Sequence, residues 1–203
     1  MQLTNLHVLD ETVIGGDAYT ASTLARVRIG EPSWQWLKQV VFVRVLPALV
    51  SDPVVVSRFR ASLALWQRHY VANNPDLFHV EAAADPFAVF AYDGGLSLAA
   101  LCRALSPARP LPRSIAERII DEVHVGLRSR HELGFAYGAV SLDSVSITGD
   151  GHVTLGIGAP WDPAVSPRDD LRRAERLSRD LLARSRAIAT PHETLREFAN
   201  QFR

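Results

Sequence analysis

The stretch from Gly126 to Pro160, GLRSRHELGFAYGAVSLDSVSITGDGHVTLGIGAP, constrains the fold more than any other part of this 203-residue chain. Leading into it, Ile115, Ile119, Val123 and Leu127 recur every four residues, the spacing of one apolar helical face. A long helix from about Pro112 to Leu133 is predicted. Beyond it, Val145-Ser-Ile-Thr and His152-Val-Thr-Leu flank Gly149-Asp-Gly, and an Asp-Gly pair between short apolar runs is a strong hairpin signal. The chain is thereby committed to a helix, a loop and a tight hairpin in immediate succession.

Upstream, residues 11 to 50 alternate short apolar runs with turn residues, a meander of strands. Ser51-Asp52-Pro53 supplies a capping side chain ahead of a proline, and Val55, Phe59, Leu63, Trp66 and Tyr70 define one face of a following helix of about five turns. Asn73-Asn74-Pro75 should end it. Two more strands, Leu77 to Glu81 and Phe87 to Tyr92, precede the Asp93-Gly94-Gly95 break, and a short helix begins near Ser97. Ser166-Pro167-Arg-Asp and Thr190-Pro191-His-Glu read as the starts of two closing helices, the first running to about Ile188.

Hydrophobic residues make up 47% of the chain and charged residues 22%, with acids and bases in equal number, which fits a soluble protein with a sizeable core. A net charge of zero gives no general reason to expect nucleic acid or an anionic membrane as partner. The single cysteine, Cys102, cannot form an internal disulfide, and the seven histidines form no cluster at metal-ligand spacing. No export signal or membrane span is read, so a cytoplasmic setting is expected.

The Gly126–Pro160 stretch resembles the catalytic core of bacterial Hanks-type (eukaryotic-like) Ser/Thr protein kinases, where a helix end GLxxxHExG is followed by HRDLKPSNILL, a turn and VKLxDFG. Gly126, Leu127, His131, Glu132 and Gly134 match the helix end. Val41-Phe-Val-Arg-Val-Leu-Pro47 is similar to VALKVLP, Ser57-Arg-Phe59 to the ERF opening of the small-lobe helix, and Asn74-Pro75-Asp-Leu to HPNIV. The resemblance implies an α+β, kinase-like bilobal fold. A small antiparallel β-sheet lobe with one helix would occupy residues 1–92. A reduced, mostly helical C-terminal lobe would occupy 93–203, the two making one compact domain.

The working parts of the family depart from its pattern. The strand lysine that holds phosphates falls on Arg44 and its helix glutamate on Ser62, so Arg44 is expected to lack its partner. Arginine keeps the charge but not the point contact of an ammonium. Lys38, the only lysine, lies six residues up the strand, roughly 20 Å away, and should face water. The proton-accepting aspartate falls on Ala139, the metal-binding asparagine on Ser144, and the metal-holding aspartate on Ile157, or on Gly156 with one residue lost. Asp143 is the only acid nearby.

The resemblance therefore implies a catalytically inactive pseudokinase, not an enzyme, serving as a scaffold or regulator in bacterial signalling. The alternative is an atypical nucleotide-binding protein or phosphotransferase with relocated acids. No cofactor or metal is expected, Gly15, Gly16, Arg44 and Asp143 being weak candidates for nucleotide contacts and a cleft filled by side chains such as Ile157 the competing reading. His124 and His131 are read as structural, and Trp34, Trp36 and Trp161 as satellite core. Another protein, acidic in character, is the expected partner, with a homo-oligomer left open.

The end of the chain is shorter than the resemblance demands, and its penultimate helix is amphipathic. Leu171, Ala174, Leu177, Leu181, Leu182 and Ile188 are assigned to one face, with arginines on the others. This implies a complete domain that offers Arg172, Arg176 and Arg179 to the partner.

Overall fold

The computed structural model describes residues 6–30, 36–81, 85–92, 94–187 and 194–202, which divide into two units. The first comprises Met1–Tyr70 with Pro75–Asp93, the second Val71–Asn74 with Gly94–Arg203. Trp34, Ile188 and the Thr190-Pro191-His192-Glu193 helix start lie outside the described residues, as does the side chain of Trp36.

The first unit is a five-stranded antiparallel sheet with one helix. Its strands are β1 (Leu6–Gly16), β2 (Thr20–Ile29), β3 (Trp36–Val45), β4 (Leu77–Glu81) and β5 (Phe87–Ala91), in the order β1-β2-β3-β5-β4. Asp17 closes the turn from β1 to β2 by accepting from the backbone N–H of Tyr19 (2.7 Å) and Thr20 (2.8 Å) and from the Thr20 hydroxyl (2.9 Å). A side chain at Gly16 would collide with the Thr20 carbonyl, so the hairpin needs a glycine there.

Asp52 caps helix α1 (Pro53–Arg68), accepting from Val54 N (2.8 Å) and Val55 N (3.3 Å). Val56, Phe59, Leu63 and Trp66 are buried, and Trp66 meets Phe90 of β5 edge-on at 5.0 Å. Two members of the expected face are corrected. Val56 rather than Val55 is buried, because the stripe follows a three-four-three spacing from 56 to 66. Tyr70 is 84% exposed, since the helix has already stopped at Arg68 with His69 extended.

In the second unit Val71–Asn74 packs under α3 (Arg113–Glu132). Ala72 N donates to Ser129 Oγ (3.0 Å), Asn73 Nδ2 to the Glu122 carbonyl (2.8 Å), and Leu155 N to the Asn73 carbonyl (2.7 Å). Gly126 permits this approach: a Cβ there would stand 2.7 Å from Leu155 Cδ1 and 3.2 Å from Asn73 Cβ. Short strands β6 (Leu96–Ser97), β8 (Val145–Ile147) and β9 (Val153–Leu155) form one sheet in the order β6-β8-β9, and β7 (Leu111–Pro112) pairs in parallel with β10 (Ser185–Arg186). Helix α2 (Leu98–Ala104) is capped by Ser97, α4 (Pro167–Arg184) by Ser166, and α5 (Leu195–Asn200) by a capping box of Thr194 and Glu197. Their shared core includes Leu101, Ile119, Val123, Val145, Leu155, Leu177 and Phe198.

The expected α4 is corrected in two respects. It ends at Arg184, where Ser185 turns extended into β10. Its inward face holds Asp170, Ala174, Leu177 and Leu181, while Leu171 is 45% exposed. The half-buried thiol of Cys102 is pushed up by burial. Among the described residues no helix is long and apolar enough to cross a membrane.

Candidate functional site

The loop between α3 and β9 is built on three buried side chains that its own motif does not reveal. Arg130, fully buried in the last turn of α3, donates from Nε to Asn74 Oδ1 (2.5 Å), from Nη1 to the Ile157 carbonyl (2.7 Å) and from Nη2 to the Gly156 carbonyl (2.8 Å). Its guanidinium also lies 4.4 Å from the centroid of the Tyr137 ring. Burial pulls Arg130 down to about 9, against the opposing pull of Tyr137 and Asp170. The same burial pushes the Tyr137 phenol up, while its hydroxyl donates to the Ser144 carbonyl at 3.1 Å.

Asp170, in the first turn of α4, is also fully buried. One side-chain oxygen accepts from Gly138 N (2.7 Å), the other from Tyr137 N (2.6 Å) and stands 3.0 Å from His131 Nε2. Arg173, one position short of a helical turn further on, donates to the Gly138 carbonyl (2.7 Å). Gly138 needs this clamp and its glycine: φ is +78°, and a Cβ would meet Val165 Cγ1 at 2.9 Å.

The sequence-predicted positions hang on this frame. Ala139 is half-buried against the core, and Asp143 is exposed. Ser144 closes a turn with Ser141, its hydroxyl accepting from Ser141 N (2.9 Å), while Ser144 N donates to Ser141 Oγ (3.2 Å). Ile157 is half-buried and lends its carbonyl to Arg130. Ala139, Asp143, Ser144 and Ile157 share the second unit with the exposed Arg172, Arg176 and Arg179. Trp161 is buried, consistent with its reading as core.

Gly15, Gly16, Arg44 and Ser62 belong to the first unit. Gly16 pairs with Ala21 and Ala21 with Arg44, which brings Gly16 and Arg44 to one end of the sheet. Arg44 and Ser62 are not brought together. Phe90, which carries Trp66 of α1, is opposite Val41, so α1 covers the Val41 and Val43 face; Arg44 falls on the other, with Phe42 and Phe87. Its guanidinium lies 4.6 Å from the Phe42 ring centroid and bonds to Glu11 and to Thr23 Oγ1 (2.9 Å). Arg44 therefore finds a carboxylate on Glu11 of β1 rather than on α1. Burial raises the Glu11 carboxyl, but bonds from Thr23 and Arg44 outweigh it and hold the group below the usual carboxylate range. Lys38 is exposed, as expected, with its ammonium 5.2 Å from the Phe78 ring centroid.

The sheet with helix α1 in the first unit, and the α3-loop-hairpin core in the second, are the elements of a kinase-like fold. The sequence matches no family model and no curated protein. Its structure, however, is similar to solved structures of the Mycobacterium tuberculosis PknI kinase domain. A single-substitution variant of that domain aligns with a TM-score of 0.62 at 17% identity, covering 97% of this chain and 95% of the other. The unsubstituted domain aligns with a TM-score of 0.61, also at 17% identity, covering 97% and 96%. These matches establish the kinase-like fold. They also correct the expectation that the chain is not an enzyme, since the solved structures that share its fold are kinase domains.

Proposed function

We propose that this kinase-fold protein acts as a regulatory module in bacterial cytoplasmic signalling, binding an acidic protein partner through the outer face of α4. The observation that carries the reading is the division of that helix. Asp170, Ala174, Leu177 and Leu181 are buried, whereas Arg168, Arg172, Arg173, Arg176, Arg179 and Arg184 are exposed. Arg172 approaches Asp169 at 3.5 Å, and Arg176 and Arg179 reach carbonyls of their own helix at 3.4 Å. Exposed contacts of this length contribute little to stability, so a partner carboxylate can replace them at small cost. Arg173, through Gly138, links the same helix to the loop that carries Ala139, Asp143 and Ser144. A docked partner would therefore bear on that loop.

The test is charge reversal. Replacing Arg172, Arg176 and Arg179 with Glu should preserve the circular dichroism spectrum and abolish capture of the partner that co-purifies with the native protein. Undiminished capture would sink the assignment.

A second reading, nucleotide binding or phosphotransfer with a relocated acid, is favoured by the exposed Asp143 one residue before the Ser141–Ser144 turn closes. In this reading its carboxylate accepts the proton or holds the metal that Ala139 and Ser144 cannot. Nucleotide-dependent elevation of Tm and label transfer from ATP, both lost in Asp143→Asn, would establish it. Neither signal in purified protein would dismiss it.

A further inference from the structure

A concavity lies beside the Asp170 clamp, on the surface of α3 and the start of α4. It is an open hollow of about 400 Å³, lined by His124, Arg128, His131 and Glu132 of α3 and by Leu171 of α4. That volume is within the roughly 300–1,000 Å³ range of small-ligand sites. Helical spacing explains the grouping: residues 124, 128, 131 and 132 are separated by four, three and one positions, so they crowd one face.

The chemistry of the lining is mixed in a definite way. Arg128 presents a planar cationic fork, His124 and His131 add ring nitrogens, and Glu132 adds a carboxylate. A ligand that was only anionic would meet Glu132 as a like charge. One that was only cationic would meet Arg128. The set is satisfied by a molecule bearing both an oxyanion and a hydrogen-bond donor. Leu171, half-exposed on the opposite wall, supplies an apolar surface for the few carbon atoms between them.

His131 distinguishes this concavity from an ordinary charged helix face. Its Nε2 is 3.0 Å from Asp170, whose side chain is fully buried and whose oxygens also hold Tyr137 N and Gly138 N. One wall is therefore fixed from within the core and shares its anchor with the candidate site. We propose that this cavity binds a small metabolite carrying an oxyanion beside an ammonium or hydroxyl group, and that its occupancy is transmitted through His131 and Asp170 to the Tyr137–Gly138 loop. The oxyanion sits on Arg128 and His124, and the donor group on Glu132. The coupling exists to the extent that a ligand prefers one placement of the His131 ring.

Three probes separate the sources of the oxyanion: O-phosphoserine, glycerol 3-phosphate and serine. Each is titrated into the whole chain while the imidazole resonances of His124 and His131 are followed by NMR. At least one probe should give a saturable shift, with the phosphate-bearing probes or serine identifying the anion preferred. Arg128→Ala, an exposed position whose loss leaves the core intact, should weaken that binding at least tenfold, and Glu132→Gln should weaken it for the ammonium-bearing probes. Amide hydrogen exchange at Tyr137 and Gly138 should slow on saturation. The site is overturned if no probe saturates at millimolar concentration or if Arg128→Ala binds as well as the parent. The coupling is overturned if binding occurs with exchange at Tyr137 and Gly138 unchanged. A protein with Arg172, Arg176 and Arg179 reversed should still bind the probe, since this site does not depend on the α4 docking face.

Discussion

Asp170→Asn tests the frame of the candidate site with almost no change in shape. The native side chain offers two acceptor oxygens to two backbone donors, Tyr137 N at 2.6 Å and Gly138 N at 2.7 Å, with His131 Nε2 at 3.0 Å beside the first. Asparagine has one acceptor and one donor group, so one of the backbone N–H groups must face an NH2. The oxygen will keep the Tyr137 side, because Tyr137 is fully buried and its N–H has no route to water, whereas Gly138 is half-buried. What is lost is one bond of about 1 kcal/mol, plus the partial desolvation penalty of the Gly138 donor, also about 1 kcal/mol. The expected total is about 2 kcal/mol, roughly a thirtyfold change in the folding equilibrium.

Asp170→Ala removes both acceptors and orphans the Tyr137 donor as well, for about 3–5 kcal/mol. Urea denaturation followed by circular dichroism measures both values, and hydrogen exchange locates the effect at residues 137 and 138. Leu171→Ala, on the exposed side of the same turn, should change stability by no more than about 0.5 kcal/mol and serves as the control. Asparagine and alanine variants equal to each other and to the parent would refute the clamp, because no arrangement of the remaining groups provides the missing acceptors.

Trp66→Ala should cost on the order of 3 kcal/mol by denaturant titration, as its ring is 5% exposed and packed on Phe90, and an unchanged midpoint would show α1 to be loosely held. Gly158→Ala should destabilise by at least about 1–2 kcal/mol, because φ is +68° and the new methyl would run into the Tyr137 ring and carbonyl; a neutral result would mean that the 156–159 segment takes another path. Glu11→Gln should flatten the acid limb of the stability profile: the folded carboxyl lies below its unfolded value of 4.5, so its contribution is present above about pH 4.5 and fades as pH falls through the lowered folded value. An acid limb identical to that of the parent would exclude Glu11 from the Arg44 cluster. Arg130 and Tyr137 act at the other end of the scale. The guanidinium is depressed to about 9, so the unfolded state holds more protons above that pH and stability gains as pH rises, whereas the raised Tyr137 makes stability fall above its unfolded value of 10. Arg130→Met should remove the first of these trends from a base titration of stability.

What was legible in the sequence was local, and what was hidden depended on chain-distant neighbours. The strand meander, α3 and the Asp150-Gly151 hairpin follow from periodicity and turn residues that act within a few positions and appear close to where such signals place them, while α1 starts at its expected cap but stops at Arg68, short of Asn73. Asp170 carries no local sign of its role. It stands in the first turn of a helix among charged neighbours, where an acid is ordinary, and only the packing of α4 against the loop 32 residues earlier in the chain converts it into a buried acceptor.

Arg44 shows the same limit more sharply, because its motif resemblance is good and its geometry still differs. Matching VALKVLP fixes a residue's place along a strand, but the face it projects from depends on parity, and one position decides whether a side chain meets α1 or the opposite side of the sheet. The register of β3 against β5 puts Val41 and Val43 beneath α1 and sends Arg44 to Glu11, a residue 33 positions away on β1. The positive charge at Arg44 is therefore better explained by the closure of its own sheet than by phosphate binding or by the absence of a glutamate at Ser62. That conclusion changes how the departures from the kinase pattern should be weighed: Ala139, Ser144 and Ile157 are substitutions in the loop itself, whereas Arg44 answers to a different set of neighbours and says nothing about what the loop can do.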